Sequence, residues 1–330
     1  MTRQLWWIAM TLICIAGCTR KSAPAKQNNA TGAIGAYHIR NDQIELSVSP
    51  ATGRIVYFGL IGGSNLLWIN SKPHIGLSPF PGWTNWGGDK LWVWPEKDWP
   101  VWNGSEAAPP GDPAVGNFTV SVRQRSIRMT SPVIPRYGLR MMREITLDET
   151  EPRVTIINTF EQVIAPEQKL PVTPWTVTQI PAPKCIYARL AAGAKSPGYM
   201  DLASNPWTPA SVAGRVLTFD RPASPRLKIG LDADLLALPV EGDLLFAMSN
   251  SSLVEPSKPQ EPFTKAQLFT SPDVSSYRAP DVGPYIEIEF TGQLKRLALG
   301  QSVSMTTVWQ LYSTKARDAV TILNEGPFAK

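Results

Sequence analysis

Histidine and cysteine are scarce in this chain: its 330 residues hold two of the first and three of the second. Cys14 and Cys18 fall at the end of an N-terminal apolar stretch, which leaves Cys185 by itself. That excludes a disulfide framework and a cysteine cluster for a metal, and neither a metal nor a cofactor is expected. No His-Glu-x-x-His helix, nucleophile elbow or phosphate-cradling glycine loop occurs, and no Ser-His-Asp triad can be assigned. Charge is sparse too, at 18% of residues with a net of +5, and it forms no run of five or six like charges. Nucleic acid is therefore not an expected partner. The apolar stretch itself, residues 5–17, is too short for a permanent span. As a helix it reaches roughly 20 Å, against a hydrocarbon core of about 30 Å.

What surrounds that stretch gives it a meaning. Arg3 precedes it, and Ile15-Ala16-Gly17-Cys18 closes it with small residues directly before a cysteine. This is the pattern of a signal peptide that ends in a bacterial lipobox. Residues 1–17 are expected to be removed, and Cys18 is expected to carry lipid, each buried methylene contributing about 0.8 kcal/mol to membrane attachment. A buried cysteine that happens to follow an apolar run is the competing reading. Residues 18–36 are rich in Lys, Ser, Ala, Asn and Gly and read as a flexible lipidated tether. Thr19, rather than Asp, after the cysteine directs such proteins to the outer membrane where a bacterium has one. The expected localisation is thus the cell envelope, periplasmic or surface-facing, with the membrane as a partner through Cys18.

From about residue 37 the dominant signal is alternation of period two. Ile44, Leu46 and Val48 alternate with polar residues, as do Phe118, Val120 and Val122, then Val154, Ile156 and Asn158. Val303, Met305, Thr307, Trp309 and Leu311 make a long late strand, and 31 prolines and 24 glycines punctuate the whole. The one helical stretch is expected near residues 314–323. No repeat and no change of composition marks a second domain, so residues 37–330 read as a single large antiparallel, all-β sandwich.

Seven of the twelve tryptophans lie between Trp68 and Trp102. Residues 81–100 hold Trp83, Trp86, Asp89, Lys90, Trp92, Trp94 and Glu96 among glycines and prolines, and read as a long functional loop. Tryptophan faces stack on the C–H faces of sugars while Asp, Glu, Lys and Asn bond the hydroxyls, and Gly87-Gly88 would let the backbone approach a ligand. The alternative is that these tryptophans plug the end of the sandwich. Arg143 shares a strand phase with Leu139, Met141, Ile145 and Leu147, so it projects from an apolar face and needs either a ligand or a partner such as Glu287 or Glu289. Trp175 shares a face with Val177 and Gln179 and could floor a pocket or belong to the core. Glu287 and Glu289 lie on one strand face about 7 Å apart, suited to acid–base work or to solvent at a sheet edge. His74 is the one histidine placed for imidazole catalysis; His38 adjoins the tether.

Several of these segments together carry a resemblance. Ser49-Pro50-Ala51-Thr52-Gly53-Arg54-Ile55-Val56-Tyr57-Phe58-Gly59 followed by Asn65-Leu66-Leu67-Trp68 resembles the opening of galactose mutarotase-like (aldose 1-epimerase-like) proteins. Arg143-Glu144-Ile145-Thr146-Leu147-Asp148 with Val154-Thr155-Ile156-Ile157-Asn158 resembles their central strand pair. The segments from Tyr285 to Phe290 and from Leu299 to Trp309 resemble their closing strands. Gly87-Gly88-Asp89-Lys90-Leu91-Trp92 with Pro95-Glu96 is similar to a bacterial lipoprotein branch of that superfamily, a domain of unknown function. The resemblance spans roughly residues 37–312. It implies a β-supersandwich with a carbohydrate-binding concave face, on which true mutarotases use two histidines and a glutamate. Here Pro174-Trp175-Thr176 stands where a histidine-bearing strand would be expected. The expectation is therefore a carbohydrate-binding lipoprotein without mutarotase chemistry. The alternatives are a carbohydrate-active enzyme, an epimerase or a cleaving one using His74, Glu287 or Glu289 with Arg143, and a structural envelope protein.

Overall fold

The computed structural model describes residues 36–70, 84–103, 117–165, 170–202, 206–221, 227–251, 265–270 and 283–325. Cys18 and its leader, His74 and Trp83 lie outside them. The first half of the described chain forms β1 (Tyr37–Arg40), β2 (Ile44–Ser49), β3 (Arg54–Leu60) and β4 (Asp89–Trp94), a 3-10 turn at Glu96–Asp98 and helix α1 (Trp99–Asn103). Then come β5 (Thr119–Arg123), β6 (Ser126–Ile134), β7 (Leu139–Leu147), β8 (Arg153–Gln162) and β9 (Thr173–Pro181). The second half holds β10 (Cys185–Leu190), β11 (Tyr199–Asp201), β12 (Ser211–Ala213), β13 (Val216–Asp220), β14 (Lys228–Leu231) and β15 (Ala233–Pro239). It closes with β16 (Leu244–Asn250), β17 (Ala266–Thr270), β18 (Tyr285–Thr291), β19 (Ser302–Ser313) and helix α2 (Ala319–Glu325).

These strands build two antiparallel sheets, and the all-β sandwich expected from the alternation is the fold observed. One sheet has nine strands in the order β1-β2-β3-β4-β9-β18-β17-β14-β11; the other has ten, β12-β13-β10-β15-β16-β19-β8-β7-β6-β5. Period two sends alternate side chains to opposite faces. Ile44, Leu46, Ile55, Leu91, Ile288 and Leu268 from the first sheet meet Met141, Ile145, Ile156, Phe160, Phe246 and Trp309 from the second in one buried cluster. Its centre is aromatic: Phe58, Phe246 and Trp309 sit with ring centroids 5.1, 5.3 and 5.6 Å apart. Asn41 ties the first hairpin to the turn between β7 and β8, donating to the carbonyls of Asp148 and Glu151 at 2.9 Å each.

Two expected elements shift. The terminal helix begins at Ala319 rather than near 314, because β19 continues through Ser313. Asp318 then accepts the Thr321 N–H at 3.0 Å, a side-chain cap for a first-turn donor. The helix buries Ile322 and Leu323 on the outer side of the ten-stranded sheet, against Val216, Leu235 and Leu245. The other shift matters more. The tryptophan-rich stretch is not one long loop, since Asp89–Trp94 is strand β4 in the interior of the nine-stranded sheet. Its flanking Gly-Gly and Pro end the strand; they do not dissolve it.

Candidate functional site

The placement of Gly87 and Gly88 decides where β4 points. Both have positive φ, at 80° and 73°, a region open to glycine. A Cβ on Gly87 would lie 2.3 Å from the Trp68 carbonyl oxygen, and one on Gly88 would lie 2.3 Å from that of Ile55. The pair packs its backbone against the adjacent segments at Trp68 and Ile55, which fill the space a ligand would need. It delivers Asp89 and Lys90 to opposite sides of the sheet.

Asp89 faces inward. Arg143, reaching from β7 in the other sheet, bonds its Oδ1 through Nη2 and its backbone carbonyl through Nη1 at 3.0 Å. The same guanidinium donates to the Gly53 carbonyl at 3.3 Å and, through Nε, to Asn158 Oδ1 at 2.9 Å. Thr178 donates to the second Asp89 oxygen at 2.7 Å. Arg143 is 0% exposed and Asp89 1%. Hence the partner of Arg143 is Asp89 and not Glu287 or Glu289, and neither Asp89 nor Arg143 reaches the outer face that carries Lys90. Position 143 does project from the apolar face; what was missing was the carboxylate across the sandwich.

The outer face of the nine-stranded sheet gathers most of the other candidates. Strand pairing lays Lys90, Val177, Glu289, Gln267 and Gly230 side by side across β4, β9, β18, β17 and β14. The next row along the strands holds Gln179, Glu287, Phe269 and Lys228, and on the other side Trp92 lies opposite Trp175. Each lysine reaches over an intervening strand to β18. Lys90 Nζ is 3.5 Å from Glu287 Oε1, to which Gln179 Nε2 also donates at 2.7 Å. Lys228 Nζ is 3.4 Å from Glu289 Oε2 and 3.9 Å from Glu96, and the Trp175 indole N–H donates to that same Glu289 oxygen at 3.1 Å. β18 sits mid-sheet, so the two glutamates are not solvated edge residues: Glu289 is only 1% exposed.

Burial dominates the electrostatics. It pushes the Glu289 carboxyl from 4.5 up to about 7, with Glu287 and Glu96 adding to the rise and Lys228 opposing it. Desolvation disfavours a carboxylate until a partner compensates. Lys228 is held above its ordinary value: burial pulls it down, but the attraction of Glu289, Glu96 and Glu287 outweighs that. Two amides of this outer face remain incompletely bonded. Among the described residues, Gln267 has no partner for either Nε2 or Oε1, and Gln179 Oε1 has none; both side chains are buried.

The tryptophans beside this polar patch form a small core of their own. Trp92, Trp99 and Trp175 are buried with Val177, and Trp94 packs against them half-buried. Trp92 meets Trp99 and Trp175 edge-on at 5.5 Å, and Trp94 meets Trp175 at 5.2 Å. Lys90 Nζ lies 3.8 Å from the Trp92 ring centre and Lys228 Nζ 5.3 Å from that of Trp175, within cation–π range. Trp92 and Trp175 are thus covered rings, while Trp94 keeps surface for a ligand to stack on. Trp86 stands apart from this cluster, half-buried next to Asn85, whose amide donates to the Tyr285 hydroxyl at 3.1 Å. Lys228, Gln267 and Trp99 were not singled out by the sequence. The signal for the first two was a polar residue inside a short apolar strand, Lys228 before Ile229-Gly230-Leu231 and Gln267 between Ala266 and Leu268.

No family model matches the sequence, and no curated protein matches it. The fold does have counterparts. A galactose mutarotase-like protein from Lactobacillus casei ATCC 334 superposes with a TM-score of 0.56 at 10% identity, over 84% of this chain and 100% of that one. A candidate aldose 1-epimerase from Escherichia coli K12 gives 0.53 at 15% identity, over 84% and 99%. A candidate mutarotase from Salmonella typhimurium gives 0.52 at 6% identity, over 84% and 90%. The two-sheet sandwich is that of the galactose mutarotase-like proteins.

Proposed function

We propose that this chain binds carbohydrate on the outer face of its nine-stranded sheet, around Lys90, Gln179, Lys228, Glu287 and Glu289 and beside Trp94. It does so as a lipoprotein held in the cell envelope through Cys18. The observation that carries the binding site is the buried polar patch on the middle strands. Lys90, Gln179, Lys228, Gln267, Glu287 and Glu289 occupy positions there where apolar side chains would cost less to bury, and the two amides, Gln179 and Gln267, still have unmet bonding capacity. A structure selected for stability alone would not retain that arrangement. Aromatic surface next to carboxylates, ammonium groups and amides is the chemistry that sugar rings require. The fold counterparts, named for sugar epimerisation, point the same way by analogy.

Tryptophan fluorescence of the soluble domain, titrated with mono- and polysaccharides, tests this. One sugar class is expected to give a saturable change. Trp94→Ala is expected to weaken it about tenfold, the loss of one stacked aromatic contact worth about 1 kcal/mol or more. A flat response across the panel overturns the proposal.

A second reading, an enzyme on the same face, is favoured by Glu289. A carboxyl pushed to about 7 exchanges a proton near neutral pH, as general acid–base work at an anomeric centre requires. Accelerated interconversion of anomers, followed by polarimetry and lost in Glu289→Gln, would support it. A rate equal to that in buffer leaves binding alone.

A further inference from the structure

The two ends of the sandwich differ in what they expose. One end is marked by the turn between β7 and β8, whose Asp148 and Glu151 carbonyls accept from Asn41. Strand β19 also finishes there, with Thr314 donating to the Asp243 carbonyl at 2.7 Å. The β7–β8 and β15–β16 turns of that end hold Asp148, Glu149, Glu151, Glu241 and Asp243 without a base; Lys315 and Arg317 follow β19. Its apolar tip is Ile61, 44% exposed. At the opposite end β7 begins and β8 leaves, and there several apolar side chains meet. Val163 and Ile164 donate to the Gly138 carbonyl at 2.9 and 3.1 Å, and Gly300 donates to that of Gln162 at 2.8 Å. Trp102 of α1 stacks on Tyr137, beside Gly138, with ring centroids 4.5 Å apart. These contacts gather Val101, Ile164 and Leu299 on one rim, 52%, 52% and 63% exposed. Apolar side chains exposed together mark an interaction surface, whereas single ones do not.

We infer that this end rests on an anionic phospholipid surface. Val101, Ile164 and Leu299 enter the boundary between headgroups and acyl chains, and the bases around them lie against the phosphates. Two observations favour a bilayer as the occupant. The first is charge: Lys97, Arg136, Lys195, Lys295 and Arg296 are exposed in the connections of this end, against Glu96 and Asp98, while Asp232 is paired with Lys265. Bases flanking apolar tips are what an interfacial protein presents to anionic lipid. The second is the path of the chain. β1 runs from Tyr37 toward Asn41, which is bonded to the acidic end, so the chain enters β1 from the basic, apolar one. Residues 19–35 alone separate Cys18 from Ala36, and a flexible chain of that length spans roughly 20–25 Å. A lipid on Cys18 would therefore hold this end, rather than the other, next to the bilayer. The inference rests on the lipoprotein reading for that tether and adds the orientation of the domain. The outer face of the nine-stranded sheet runs between the two ends and stays uncovered.

The chain from Thr19 onward, without lipid, is sedimented with vesicles of equimolar phosphatidylcholine and phosphatidylglycerol. The parent is expected to partition onto them. Ile164→Asp with Leu299→Asp should lower the partition coefficient about ten- to a hundredfold, the loss of two inserted apolar side chains. Ile61→Asp, at the other end, should leave it unchanged. Lys295→Gln with Arg296→Gln should lower it several-fold in dilute buffer and little in high salt. All these positions are exposed, and thermal unfolding of each variant checks that the fold is kept. No partitioning by the parent overturns the inference, as does an equal loss from Ile61→Asp. Equal binding to phosphatidylcholine alone overturns the part given to the bases. Self-association that Leu299→Asp abolishes, without vesicle binding, would give this end to a second copy instead. The mass of the mature protein from membranes reports separately whether Cys18 carries lipid, so failure of the anchor and failure of the docking end are distinguishable.

Discussion

Asp89 and Lys90 are neighbours on one strand and belong to two different kinds of ion-pair site. Inside the sandwich, Asp89 and Arg143 satisfy each other: the guanidinium has acceptors from Asp89, Gly53 and Asn158, and both carboxylate oxygens have donors, although the Asn158 amide nitrogen beside them has no partner among the described residues. Outside, Lys90, Lys228, Glu287 and Glu289 are paired yet unfinished, with two glutamine amides short of partners and a glutamate held near neutrality. Completeness marks the inner pair as part of the architecture, a polar bolt between the sheets. The outer set, with its two unmet glutamine amides, is the one that we propose a ligand completes.

The sharpest way to break this comparison is to remove one side of the inner pair. Arg143→Met leaves Asp89 as an uncompensated carboxylate in the interior and is expected to cost about 3–5 kcal/mol in stability. It should leave the outer face intact wherever the protein still folds. Urea unfolding measures the loss. A cost below about 1 kcal/mol would mean that the inner pair is no more structural than a surface contact.

The outer set gives a smaller effect with a distinctive pH dependence. Burial raises Glu289 from 4.5 to about 7, so the folded state binds more protons than the unfolded state between those values. Stability linked to this group is fully present below about 4.5 and is lost as pH rises through about 7. The linked loss is on the order of 3 kcal/mol. Glu289→Gln cannot ionise, so the variant should gain on the parent protein as pH rises across that window. Parallel stability curves from pH 4 to 8 would show that Glu289 titrates normally.

The same contrast shows what was legible beforehand. Alternation gave the strands and the sandwich, because period two survives in sequence whatever the sheet order. It also placed Arg143 on an apolar face and Glu287 with Glu289 on one face. The sequence could not tell which sheet lies over which, so Arg143 was offered the wrong carboxylates while its actual partner sat in the tryptophan-rich stretch. Nor did glycine and proline distinguish a loop from a central strand with hard stops at both ends. Strand β4 is apolar on both faces, at Leu91 and Val93 inward and Trp92 outward, which hides the alternation that marks half-exposed strands. Gln267 and Lys228 stayed invisible for a related reason: a polar residue in a strand of four or five mostly apolar residues gains its meaning from neighbours dozens of positions away.

The mildest test concerns a third pair that sets the scale for the other two. Arg128 and Glu144 lie across β6 and β7, 3.5 Å apart, with side chains 56% and 50% exposed. Water solvates both groups whether or not they touch, and holding two long side chains in one arrangement costs rotamer freedom. Such a pair therefore contributes about 0.2–1 kcal/mol. Arg128→Ala should shift the urea midpoint only slightly, and added salt should erase the difference, since screening acts on exposed charges first. If instead Arg128→Ala costs as much as Arg143→Met, burial and completeness of bonding would not be what separates the inner pair from the rest. The assignment of Asp89 to architecture and Lys90 to the ligand face would then lose its physical basis.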